Sequence, residues 1–165
     1  MKVRISARVY PSESEDRVLK AMKNLVPFEE SIDEVELYQD SCCRVISVAL
    51  DGIDPLLKLR DSFRNNKVLD TARMLLVRGM IGRSTRIKLH KQAAFLGKVR
   101  LCSSDEESPL GTIDLDIEFD CDPKLFLDWI APQTKDGKIL REIKTSELRD
   151  LLVGASPTAH KSSSP

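Results

Sequence analysis

Short runs of alternating polar and apolar residues, helical spacing in the segments between them, and no regular βαβα rhythm predict an α+β fold. Every predicted strand alternates, so the sheet has one wet face and one covered face. That is a two-layer sandwich, a mostly antiparallel sheet with helices on one face. With 165 residues, 41% hydrophobic and 32% charged, the chain is long enough for a single domain over residues 1–153. From Gly154 onward Ser, Pro and Ala dominate, and 154–165 reads as a disordered tail. No apolar run approaches the ~18 residues of a membrane span, and residues 1–6 alternate rather than form a signal-peptide core. The expected compartment is the cytosol.

Val3, Ile5, Ala7 and Val9 face one way, and Lys2, Arg4, Ser6 and Arg8 the other, which predicts a half-buried strand over 2–9. Ser12 to Glu15 supply capping oxygens and first-turn carboxylates. Val18, Leu19, Met22, Leu25 and Val26 follow at helical spacing, so 12–25 reads as a helix closed by Pro27. Residues 32–38 and the β-branched 42–50 read as a hairpin. Asp54 before Pro55 reads as an N-cap and first helical residue, followed by an apolar stripe of Leu56, Leu57, Leu59 and Phe63. Val68, Leu69, Ala72, Leu75 and Leu76 mark a helix stopped by Gly79 and Gly82.

Residues 85–90 alternate, with Ile87 and Leu89 inward and Arg86, Lys88 and His90 outward. A helical turn over 91–96 ends at Gly97, and 98–102 reads as a strand. After the acidic loop 103–108, residues 112–119 are the clearest strand, with Asp114, Asp116 and Glu118 outward. Asp122-Pro123 opens a helix through Phe126 and Trp129. Residues 138–143 predict an edge strand, and 145–153 a last helix. The expected core is Val3, Ile5, Val9, Leu19, Met22, Val45, Val48, Leu76, Ile87, Leu89, Ile113, Leu115, Ile117, Phe126 and Trp129.

A net charge of zero hides strong segregation. Residues 58–100 carry 12 basic and 2 acidic groups; residues 101–128 carry 1 basic and 9 acidic. Either the basic block is a surface for phosphates, or the two blocks neutralise each other in the fold. The outward strand faces sharpen this choice. Basic and acidic strands that interleave would make a cross-strand charge ladder, whereas adjoining basic strands would make a cationic platform. Arg60, Arg64, Lys67, Arg73 and Arg78 lie on helices, where a solvated face is expected.

Catalytic patterns are absent: no nucleophile elbow, no Walker loop, no dinucleotide fingerprint. The four cysteines include no Cys-x-x-Cys pair and only two histidines accompany them, so no zinc site or other cofactor is expected. The cysteines read as small apolar fillers, with Cys42 and Cys43 on opposite faces of a strand. Asp114, Asp116 and Glu118 read as a solvated or charge-paired face rather than a cation site. Gly79-Met80-Ile81-Gly82 has the Gly-x-x-Gly spacing of a KH loop, but strand rather than helix follows it. With only Tyr10 and Tyr38 on strands, base stacking has few platforms. An RNA contact would therefore be mainly to phosphate and sugar.

Leu89 to Val99 (Leu-His-Lys-Gln-Ala-Ala-Phe-Leu-Gly-Lys-Val), Ser108 to Ile113 and Trp129 to Gly137 together resemble an archaeal family of small uncharacterised proteins grouped as RNA-binding. The resemblance covers about residues 2–143. It implies a fold like that of the ribosomal protein that carries 5S rRNA, RNA binding, and a homodimer. An unpaired sheet edge would also invite self-pairing. Two functions follow. One is a non-enzymatic RNA-binding protein using Arg78, Arg83, Arg86, Lys88, Lys91, Lys98 and Arg100, with Gly79 and Gly82 letting backbone approach a phosphate. The other is a homodimeric scaffold whose charged sheet face is a structural salt-bridge ladder.

Overall fold

Eight strands and six helices occupy residues 1–30 and 33–154, the residues that the computed structural model describes. The expected tail, Gly154 apart, lies outside them. The first strand, β1 (Lys2–Val9), is central. Helix α1 (Glu15–Leu25) returns over it, and β2 (Glu34–Gln39) and β3 (Arg44–Asp51) form a hairpin. Helices α2 (Leu57–Asn65) and α3 (Leu69–Arg78) lead to β4 (Ser84–His90), the five-residue α4 (Lys91–Phe95) and the two-residue β5 (Leu101–Cys102). Strand β6 (Thr112–Glu118) then enters the sheet, followed by α5 (Pro123–Ile130), β7 (Thr134–Lys135), β8 (Lys138–Ile139) and α6 (Thr145–Gly154).

The main sheet has the order β2-β3-β1-β6-β4-β5, antiparallel at every pairing. Its apolar face carries Val3, Ile5, Val48, Ile87, Leu89, Ile113, Leu115 and Ile117. Those residues join one hydrophobic cluster with Met22, Leu59, Phe63, Leu76, Phe126 and Trp129 from the helices. The fold is thus the expected α+β arrangement, and Asp122 caps α5 as expected, its carboxylate accepting the Lys124 N–H at 2.8 Å.

Several local expectations are corrected. Helix α1 begins at Glu15, and Glu13 instead accepts the Tyr10 N–H across the intervening turn. On that helix Val18, Ala21, Met22 and Leu25 are buried, while Leu19 is half-buried. Asp54 is not an N-cap but opens a 3-10 turn, and its carboxylate pairs with Arg149. Cys42 and Cys43 precede β3, in the turn; Cys43, Cys102 and Cys121 are buried and Cys42 is exposed. Residues 98–100 form no ladder because their segment closes α4: Gly97, at φ +78°, and Lys98 donate their N–H groups to Ala94 and Ala93. Residues 138–143 add no edge to the main sheet. Lys138 and Ile139 pair with β7 in a separate hairpin turning on Asp136 and Gly137, both with positive φ.

Candidate nucleic-acid interface

The strand order decides what the polar sheet face is. Acidic β6 lies between basic β1 and basic β4. In register, Lys2 faces Glu118, Arg4 faces Asp116 and Ser6 faces Asp114; on the other side Arg86 faces Asp116 and Lys88 faces Asp114. Arg86 reaches Asp116 with Nε at 2.5 Å and Nη2 at 3.2 Å. Lys88 is held by Asp105 at 2.8 Å and Asp114 at 3.4 Å. On the β3 side of β1, Arg4 lies between Ser47 (3.0 Å) and Glu36 of β2 (4.0 Å). The basic and acidic strands interleave, and the face is a charge ladder.

Titration follows the pairing. The hydrogen bond to Asp116, then its charge, raises the pKa of Arg86. Burial pulls Lys88 down, but its bond to Asp105 and the charges of Asp114 and Asp105 outweigh this, and its pKa is raised. The Lys88 hydrogen bond in turn lowers Asp105. A trough of about 1050 Å³ runs over this face, with Lys2, Arg4, Arg78, Arg86 and Lys88 set among Glu34, Asp51, Asp116 and Glu118. Neither sign dominates it.

Lys91, expected among the RNA contacts, is not a surface residue. It is 4% exposed, and its ammonium donates to the carbonyls of Arg8 (2.7 Å) and Leu110 (2.5 Å) and to Glu13 (3.1 Å). Burial lowers its pKa, with the Glu13 charge only partly opposing. An ammonium with this many buried partners is a pin between β1, the turn that leads into α1 and the loop before β6. His90, expected outward, is buried as well, and its Nδ1 accepts the Ala93 N–H at 3.2 Å.

The helical cations of the basic block are not simply solvated. Arg60 and Arg64 donate to the Trp129 carbonyl at 2.8 and 3.2 Å, and both reach Glu142. Arg73 donates to Asp128 (2.9 Å) and to the Ala131 carbonyl (3.1 Å). Three arginines therefore gather at the carboxyl end of α5, where the helix dipole favours positive charge. Of the 12 cations in residues 58–100, six have carboxylate partners: Arg60, Arg64, Arg73, Arg86, Lys88 and Lys91.

Arg78, Arg83, Lys98 and Arg100 are exposed and form no ion pair among the described residues. They stand as two pairs at the two ends of β4. Arg78 ends α3 and Arg83 lies in the turn into the strand. Lys98 and Arg100 follow α4 at the other end, where the Arg100 carbonyl accepts the His90 N–H at 2.8 Å. Seven residues at ~3.3 Å each separate Arg83 from His90 by roughly 20 Å. Gly79 does not open backbone towards a phosphate: a Cβ there would overlap the Arg86 carbonyl oxygen, so its smallness serves the packing of α3 on β4. Gly82, at φ +59° with open space around it, makes the turn.

A family model described as RNA binding matches residues 2–119. The chain is 37% identical over 137 residues to a UPF0201 protein of Saccharolobus islandicus, covering 83% of this chain and 91% of that one. It is 39% identical over 135 residues to a UPF0201 protein of Pyrococcus abyssi, covering 82% and 92%. Among solved structures, the UPF0201 protein of Methanococcus jannaschii superposes with a TM-score of 0.72 at 29% identity, over 86% of this chain and 100% of that one. Likeness to the ribosomal 5S rRNA carrier stays an implication of the sequence resemblance. Among the described residues no helix is long and apolar enough to cross a membrane.

Proposed function

Because the chain belongs to the RNA-binding family matched over residues 2–119 and to the UPF0201 proteins, we propose that it binds structured RNA in the cytosol, non-enzymatically, through phosphate and sugar contacts. The contacts fall to Arg78 and Arg83 at one end of β4 and to Lys98 and Arg100 at the other. The observation that carries this is the division of the basic block: half its cations are consumed by carboxylates, and of the six exposed ones that are not, these four flank β4 while Lys58 and Lys67 lie away from it. Arg86 and Lys88 belong to the ladder, which keeps for them the structural role of the scaffold reading. The chain also pairs with itself. Strand β2 is an edge with Leu37 exposed on the face away from the ladder, and such edges are either protected or paired.

Binding of a labelled RNA hairpin titrated over a salt series tests the reading. Each phosphate contact adds about −0.7 to −0.9 to the log–log slope of affinity against salt. Replacing Arg78 and Arg83 together by Ala should flatten the slope by roughly one to two, and so should replacing Lys98 and Arg100. Replacing Arg86 and Lys88 should lower the melting temperature and leave the slope in place. Light scattering on the same wild-type sample should give twice the chain mass. Absence of salt-sensitive RNA binding sinks the proposal.

A further inference from the structure

A second, smaller pocket of about 280 Å³ opens where β1, β2 and β3 meet the segment before β6. Its walls include Arg8, Tyr10, Tyr38, Asp40, Asp105 and Asp114. These two are the chain's only tyrosines, and the fold brings both to one cavity. The volume lies just below the roughly 300–1,000 Å³ of pockets for drug-sized ligands, which suits a single flat ring system.

The tyrosines are set for stacking. Tyr10 is held in place: the Lys91 ammonium lies 5.5 Å from its ring centroid, and the ring lies against the bare Cα of Gly111, whose φ is +82°. Tyr38 is 52% exposed. The register places Tyr38 opposite Val45, and Val45 opposite Arg8, so the three span one row of the sheet.

The polar lining selects among rings. Asp105 and Asp114 share Lys88, and the single proton of the Thr112 hydroxyl can go to either, Asp114 at 2.7 Å or Asp105 at 3.0 Å. An ionised carboxylate has about four acceptor sites, so both keep lone pairs. Arg8, bound to Asp40 at 3.1 Å, is the cationic donor of the lining. A ring with adjacent N–H donors and a neighbouring acceptor fits, and guanine presents that set: N1–H and the 2-amino group beside O6.

We propose that this pocket takes one unpaired guanine of the bound RNA, stacked on tyrosine, with its Watson–Crick edge on the aspartates and O6 towards Arg8. The proposal rests on the RNA-binding reading above and adds a base to its phosphate contacts. Thr112 of the pocket wall pairs with His90, whose N–H donates to the Arg100 carbonyl. The Lys98–Arg100 cations therefore lie at the same end of the sheet as the pocket.

The test is fluorescence anisotropy of wild-type protein with a short uridine tract carrying one central guanine, hypoxanthine or adenine. Guanine should bind best, and adenine about tenfold or more weaker, the range of one good base-edge pairing. Hypoxanthine, lacking the 2-amino group, should fall between. Tyr38→Ala should weaken the guanine tract roughly fivefold or more and level the series, while Tyr38→Phe keeps it. Salt-sensitive binding that is equal for all three tracts overturns the pocket and leaves the phosphate reading standing. A guanine preference that survives Tyr38→Ala also overturns it. If no tract and no hairpin binds, both readings fall. Should Tyr38→Ala fail to fold, the base series on the wild-type protein decides.

Discussion

His90 ends β4 and caps α4 with its imidazole, Nδ1 accepting the Ala93 N–H. That bond needs the neutral ring with its proton on Nε2. Burial, reinforced by the charge of Arg100, holds the pKa below the ordinary 6.5. The unfolded chain therefore binds more protons than the folded one between the two pKa values. The stabilisation is complete above about pH 6.5 and is lost as pH falls through the window beneath it. Thermal melts from pH 8 down to pH 5 should show a decline in stability that His90→Asn, a capping residue that does not titrate, reduces. An unchanged decline in the variant would remove the cap from this account. The alternation of residues 85–90 correctly gives the phase of Arg86 and Lys88, yet it cannot say what lies over the last residue of the strand. Lys91 shows the same limit: nothing in its local sequence announces Glu13, 78 positions away, as its partner.

At the scale of elements, strands were legible and their order was not. The charge on each strand face can be read from a single segment, but whether basic strands adjoin or interleave depends on β6 inserting between β1 and β4. That long-range pairing is what draws Arg86 and Lys88 of the basic block into a ladder. Other misses had a local signal: Asp136-Gly137 is a standard hairpin turn, and it marks the β7–β8 arm that the edge-strand reading overlooked. Gly79 carries a different lesson, since a helix-stopping glycine and a packing glycine look alike in sequence. The backbone of Gly79 lies against that of Arg86, and the Thr85 hydroxyl donates to the Leu76 carbonyl at 2.6 Å beside it. Adding a methyl group at Gly79 must push α3 off the β4 edge. Gly79→Ala should cost about 1–3 kcal/mol or more in denaturant unfolding, the range of overpacked sites. Gly82→Ala meets open space and pays only for its positive φ. Equal costs at the two positions would contradict the packing role.

Over the whole molecule, the segment beyond residue 119 is bound to what precedes it by aromatics and by arginines. Phe119, just after β6, stacks on Phe126 of α5 with centroids 4.5 Å apart, and Phe126 lies 6.3 Å from Trp129. Trp129 is fully buried; its indole N–H donates to the Thr145 hydroxyl of α6 at 3.1 Å, and the Arg60 guanidinium lies 5.7 Å from its ring. One side chain thus joins α2, α5 and α6, and the arginines of α2 and α3 close the same joint on its polar side. Trp129→Ala should therefore cost roughly 3–5 kcal/mol, the loss expected for a large buried aromatic. Urea unfolding followed by circular dichroism measures it. The transition should stay single, because the hydrophobic cluster runs unbroken from Val3 to Leu148. Two separate transitions in Trp129→Ala would mean that residues 120–154 fold as a unit apart from the sheet. A loss below about 1 kcal/mol would mean that the core closes around the missing ring, so that the arginines on the α5 carbonyls hold the joint without it.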